Sequence, residues 1–167
     1  AQVAATLGDF ADVDVADGPP GGFAVVLVAF NTLFNLADAD AQRRCLANVA
    51  ERLAPGGSLL VEAFVPEPEH VVGGGAVTPT TIEADRVVLQ VTQQDPTAQT
   101  VTGSIVTITE AGIRLRPWRI RYAPPEELDA MATEAGLRRA DRWADWRRAP
   151  FSEDSPRHVT RYERASR

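Results

Sequence analysis

Two stretches of the chain are almost unbroken apolar runs: FAVVLVAF, Phe23 to Phe30, and SLLVEAFV, Ser58 to Val65. Neither alternates, so each predicts a strand buried on both faces, as in the centre of a parallel sheet. Between them the pattern turns helical. Cys45, Leu46, Val49 and Leu53 form a stripe at helical spacing, Asp38 or Asp40 caps its start, and APGG, Ala54 to Gly57, ends it. Strand, helix and strand joined by short links make a βαβ unit, with parallel strands and a right-handed crossover. Upstream, Val3 to Leu7 is a short strand candidate that stops at Gly8, and Pro19, Pro20, Gly21 and Gly22 mark a loop.

Past Val65 the period shifts. RVVLQVTQQ, TVTGSIVTIT and IRLRPWRIRY interleave Val, Ile and Thr with polar residues, and DPTAQ between the first two is a turn. This predicts an antiparallel meander with one wet face, placed at residues 83–122. Pro117 inside it points to an edge strand or a bulge. APPEELDAMATEAGL then reads as a helix. Pro125 and two glutamates stand at its start, Leu128, Met131 and Ala135 turn inward, and Gly136 ends it. Leu137 to Trp146 and HVTRYER complete the chain as two further strands. No repeat or low-complexity linker divides it, so residues 1–167 read as one α/β domain with the meander inserted.

Composition narrows the function classes. Of 167 residues, 44% are hydrophobic and 24% charged, as in an ordinary globular chain. The net charge of -6 disfavours nucleic acid, whose binding needs a basic surface. All basic residues are arginine, which removes Schiff-base and P-loop lysines. Cys45 alone allows no internal disulfide, so a cytoplasmic protein is expected, and no apolar run is long enough to span a bilayer.

Ligands of an open parallel sheet bind outside the carboxyl ends of its strands. Asp9 and Phe10, at the end of the first strand candidate, either offer a carboxylate and a ring to a heterocycle with an amino group, or form a local turn and a piece of core. Asn31 and Thr32 either hold the polar end of a ligand or satisfy their own loop. His70 and His158 are the histidines; each is placed in a loop on the ligand face, as a general-base candidate or a solvated side chain. Trp118, Tyr122, Trp143 and Trp146 are candidates to shape an apolar acceptor pocket. Cys45 reads as core, Gly73 to Gly75 as a flexible lid, and no metal-ligand spacing or nucleophile elbow is present.

Taken together, GDF, FAVVLVAFNTLFNL and AQRRCLANVAERLAPGGSLLVEAFVP resemble the second half of a class I S-adenosylmethionine-dependent methyltransferase, with L-x-P-G-G at Leu53 to Gly57 the most specific piece. The resemblance is closest to small-molecule methyltransferases, including the N,N-dimethyltransferases of amino sugars, which carry an antiparallel insertion after their fifth strand. It implies a Rossmann-like sheet, incomplete at its N-terminus, in which Leu7 ends the third family strand and Phe23 to Phe30 and Ser58 to Val65 are the fourth and fifth. It further implies S-adenosyl-L-methionine as cofactor, with Asp9 on the adenine amino group, Phe10 on the adenine ring, and Phe30, Asn31 and Thr32 at the methionine end. The family's glycine-rich loop and ribose-binding acid would lie before Ala1.

In the family, two strands stand between the third and the fourth. Without them the fourth strand keeps an open apolar edge. The expected consequence is a homodimer or strand-swapped assembly through that edge, or direct pairing of the third strand with the fourth. The activity implied is methyl transfer to a small-molecule N, O or C acceptor. The alternative is a non-catalytic α/β binding or assembly module that keeps the frame without the cofactor. A nicotinamide enzyme is disfavoured by the absence of a glycine fingerprint.

Overall fold

The structure is a computed structural model and describes residues 5–15, 18–66 and 75–164. In chain order its elements are β1 (Phe23–Val28), a single 3₁₀ turn (Thr32–Asn35), α1 (Ala39–Arg52), β2 (Leu53–Phe64), β3 (Gly75–Ile82), β4 (Arg86–Asp95), β5 (Thr100–Thr109), β6 (Gly112–Arg121), α2 (Pro125–Glu134), β7 (Leu137–Trp143) and β8 (Arg157–Arg164). They form two compact units, residues 1–66 with 123–167 and residues 67–122.

The larger unit holds a sheet in the order β1-β2-β8-β7. β1 and β2 are parallel, as the apolar runs predict, and β8 runs antiparallel to both of its neighbours. α1 begins at Asp38, whose Oδ1 accepts the Ala41 N–H at 2.8 Å; Asp40 lies in the first turn and is not the cap. Cys45, Leu46 and Ala50 of α1 are buried, and α1 packs against α2. In α2, Pro125 opens the first turn, Leu128, Met131 and Ala132 are buried, and Gly136 at φ +78° ends it. Ala132 takes the inward place expected for Ala135.

The L-x-P-G-G segment has a physical reason. Gly56 adopts φ +74°, which is the left-handed region that glycine occupies without cost. A Cβ at Gly57 would lie 2.6 Å from the Phe23 carbonyl oxygen. The two glycines therefore let β2 enter hard against the start of β1. The register records this, jumping from Phe23 opposite Leu53 to Val25 opposite Ser58.

Three expectations change. Ala5 to Leu7 form no strand, and Leu7 is fully exposed; residues 1–4 lie outside the described residues. Consequently nothing among the described residues pairs with the outer edge of β1, and no third strand joins the fourth directly. β1 ends at Val28, not Phe30, and is not buried on both faces: Val25 and Leu27 are more than half exposed. An apolar run reports what a strand would bury, and this one retains an uncovered face.

The smaller unit is an antiparallel sheet in the order β3-β4-β5-β6. DPTAQ is the β4–β5 turn, with Asp95 Oδ1 accepting the Ala98 N–H at 3.0 Å. Pro117 sits on β6, an edge strand, opposite Ser104. β3 is an added strand that the chain pattern did not announce.

Candidate functional site

The carboxyl ends of β1 and β2 meet at one tightly clipped corner. Phe30 and Asn31 both take left-handed backbone conformations, φ +53° and +58°. Asparagine tolerates this region; for a phenylalanine it is an unusual and costly conformation. The corner is held from β2. The Phe30 N–H donates to Glu62 Oε2 at 2.9 Å, and the Asn31 N–H donates to the Glu62 carbonyl at 3.1 Å. Asn31 Oδ1 accepts the Phe64 N–H at 2.7 Å. The Thr32 hydroxyl caps the turn by donating to the Ala29 carbonyl at 2.6 Å. Beneath it, Phe34 is buried edge-on against Phe64, with ring centroids 5.2 Å apart. The result is a rigid corner that leaves the Phe30 ring 85% exposed.

Glu62 is the site residue that the reading of the sequence missed. Its signal was available: it is the one charged residue inside SLLVEAFV, and a carboxylate in a mostly buried strand needs a partner.

Beside the corner lies an apolar cavity of about 580 Å³, whose walls include Phe10, Val26, Val28, Phe30, Thr32 and Cys45. Phe10, Phe30 and Thr32, singled out from sequence, thus come together. Asp9 and Asn31 are not in its wall. Asp9 makes the local turn: its Oδ1 accepts the Ala11 N–H at 2.9 Å, and its carbonyl accepts from Asp12 and Val13. Asn31 spends its carbonyl oxygen on the strand clip. Burial pushes the Cys45 thiol up to about 11, so it is an inert part of this wall.

Comparison with solved structures finds the same fold in known proteins. The methyltransferase CcbJ from Streptomyces caelestis matches with a TM-score of 0.87 and 38% identity, over 96% of this chain and 63% of that one. The chain carries the class I S-adenosylmethionine-dependent methyltransferase fold. A methyltransferase from Clostridium acetobutylicum matches at TM-score 0.81 and 12% identity, over 96% and 64% of the two chains. CalS10 from Micromonospora echinaspora, an amino pentose methyltransferase solved with S-adenosylmethionine, matches at 0.64 and 22%, over 93% and 62%. The chain thus spans less than two thirds of the length of each of these methyltransferases. No protein-family model matches it, and no curated protein does.

Other sequence-based candidates fall elsewhere. His70 lies outside the described residues. His158 is not in a loop: it is the second residue of β8, opposite Ala63, and has no exposed surface. His158, Thr160 and Tyr162 share one face of the strand, and Val159 on the other face is buried as well, so the start of β8 is covered on both sides. Its Nδ1 lies 2.8 Å from Thr160 Oγ1, and its Nε2 is buried without a partner. The ring also meets Phe151 edge-on, with centroids 6.2 Å apart. A general base must reach its proton, and this ring reaches no surface.

The four large aromatics divide between the two units. Trp143 and Trp146 line a separate cavity of about 710 Å³ with Val25, Ser58 and Leu60. It adjoins the early halves of β1 and β2, not their carboxyl ends. Trp118 packs its ring over Gly103, and Tyr122 accepts a hydrogen bond from Gln94 Nε2 at 3.0 Å; both belong to the smaller unit. Among the described residues no cluster of His, Cys, Asp or Glu could hold a metal, and no helix is long and apolar enough to cross a membrane.

Proposed function

We propose that the protein transfers a methyl group from S-adenosylmethionine to an N, O or C nucleophile of a small molecule. The observation that supports this most is the 38% identity with a methyltransferase across 96% of the chain. The Phe30–Asn31 corner supplies the place. The residues there fit the cofactor. A cavity of about 580 Å³ is within the range of small-molecule sites, and it runs along the length of β1 from Phe23 to Phe30, reaching past the carboxyl end of that strand. When bound, S-adenosylmethionine supplies an electrophilic methyl group on a sulfonium.

In this reading Phe10 lies on the adenine ring, and the second Asp9 oxygen accepts from its amino group. Phe30, with Thr32 and Asn31, positions the methionine end. The chain's own contribution is then positioning and exclusion of water. Glu62 is a positioning residue, acting through the Phe30 backbone. No general base is assigned. An amine asks least of such a site, because it attacks as the free base and its proton leaves afterwards to water. A cytoplasmic setting accompanies the proposal, with Cys45 free and buried.

The non-catalytic alternative is not favoured, since the matching structures above are named as methyltransferases. Incubating the full-length protein with methyl-labelled S-adenosylmethionine and a panel of small amines, alcohols and phenols tests the proposal. Label should pass to an acceptor, and Phe30→Ala should lower kcat/KM at least about tenfold, the loss of one well-placed contact. Absence of both cofactor binding and transfer in the full-length protein would overturn it.

A further inference from the structure

Residues 8–15 form no helix or strand, yet Phe10, Val13 and Val15 line the cavity of about 580 Å³ beside β1. A segment with no backbone ladder stays in place only through the few contacts it makes. The turn closed by Asp9 fixes its shape but not its position. Ala11, with no exposed surface, anchors its start.

The rest of its position comes from α1. Arg44, Asn48 and Arg52 lie four residues apart, so they stand one above another on one side of the helix. They meet three consecutive residues of the segment in order. Arg44 Nε donates to Asp12 Oδ1 at 3.1 Å, Asn48 Nδ2 to the Val13 carbonyl at 3.1 Å, and Arg52 Nη2 to Asp14 Oδ1 at 2.9 Å. Arg52 also donates to Asn48 Oδ1, which turns the amide so that its Nδ2 faces Val13. Asp38 and Asp9 add to the field that holds Arg44 in its cationic form. Each exposed ion pair is weak alone, but all three contacts act on one short segment, and the central one is partly buried.

We propose, on the reading of this cavity as the S-adenosylmethionine site, that Arg44, Asn48 and Arg52 are positioning residues for the cofactor. They strap residues 12–14 to α1 and so hold Phe10, Val13 and Val15 in the cavity wall. Ordering a loose segment costs binding free energy, so a segment held in advance raises affinity. The strap therefore acts on cofactor affinity and not on methyl transfer itself.

Two measurements on the full-length protein test this. Amide hydrogen exchange of the cofactor-free protein reads the strap, and calorimetric titration with S-adenosylhomocysteine reads its effect. Arg44→Asp, which sets a carboxylate against Asp12, should speed exchange across residues 9–15 about fivefold or more and weaken binding by a similar factor. Asn48→Ala should do the same from the middle of the row. Adding Asp12→Arg to Arg44→Asp restores opposite charges and should recover part of both losses. Arg43→Asp makes the same charge change one residue away, where the arginine pairs with Asp40 and Glu134, and should alter neither readout. In the strap variants KM for S-adenosylmethionine should rise with kcat kept. Unchanged exchange in both Arg44→Asp and Asn48→Ala would overturn the strap. Faster exchange with unchanged affinity would refute its bearing on the cofactor. A wild type that binds no S-adenosylhomocysteine would mark the failure of the cofactor reading, and of this proposal with it.

Discussion

Exchanging His158 for glutamine should flatten the dependence of stability on pH. The imidazole has no exposed surface. Burial, and then the neighbouring Arg142 cation, lower its pKa from 6.5 to about 4, with Asp129 opposing them. The Arg142 guanidinium is held in place: its Nε donates to Thr160 Oγ1 at 2.8 Å, and it also donates to Asp129 at 2.6 Å. Tyr162 donates to the same carboxylate at 2.9 Å, so the residues around the ring cannot easily rearrange to accept a second cation.

The sign follows from linkage. Above pH 6.5 both states carry a neutral ring, and stability is at its full value. As the pH falls towards 4, the unfolded chain binds a proton that the native ring refuses, and stability is lost. At pH 5 the loss is about 2 kcal/mol, approaching roughly 3 kcal/mol below pH 4. Urea unfolding between about pH 7.5 and pH 5 measures it, with His70→Gln as the common background so that only one histidine titrates. Wild type should lose about 2 kcal/mol more than His158→Gln, a midpoint difference near 1 M urea. Parallel pH profiles for the two proteins would refute the reasoning.

Asn31→Ala should destabilise the protein by about 2–3 kcal/mol in urea unfolding, because the Phe64 N–H loses its acceptor and alanine is strained at φ +58°. Asn31→Asp, which keeps an acceptor and tolerates the conformation, should recover most of that loss. Gly57→Ala should cost about 3 kcal/mol or prevent folding, since its Cβ would meet the Phe23 carbonyl oxygen at 2.6 Å. Gly21→Ala has open space around its Cβ and only a left-handed φ to oppose it, so it should cost about 1–2 kcal/mol.

The framework of this fold was legible because its signals are local. The apolar runs, the Asp38 cap and Pro125 each act on their own neighbourhood and mark β1, β2, α1 and α2, although β2 already starts at Leu53 and takes in the APGG segment expected as the helix stop, and β1 ends two residues early. What was not legible depends on partners distant in sequence. β3 has Pro79 and Thr78 amid weak alternation, and it is a strand because β4 supplies the ladder. His158 looked like a loop residue, but its burial comes from Thr160, Arg142 and Phe151, the last two on other segments of the chain. β1 looked central because it is wholly apolar; apolarity states a need for cover, and its outer edge has none among the described residues. At the site, Asp9 and Asn31 showed the reverse weakness. Their polar atoms suggested a ligand, and the structure first gives them local work, a turn and a strand clip, so that any ligand takes what remains.

The central claim is that the corner at the end of β1 holds the cofactor. Calorimetric titration of the full-length protein with S-adenosylhomocysteine, beside its Phe30→Ala variant, tests it most directly. The account predicts one site of micromolar affinity, weakened about tenfold or more in the variant, which corresponds to about 1.4 kcal/mol. No binding to the full-length protein, or binding that is indifferent to Phe30, would contradict it.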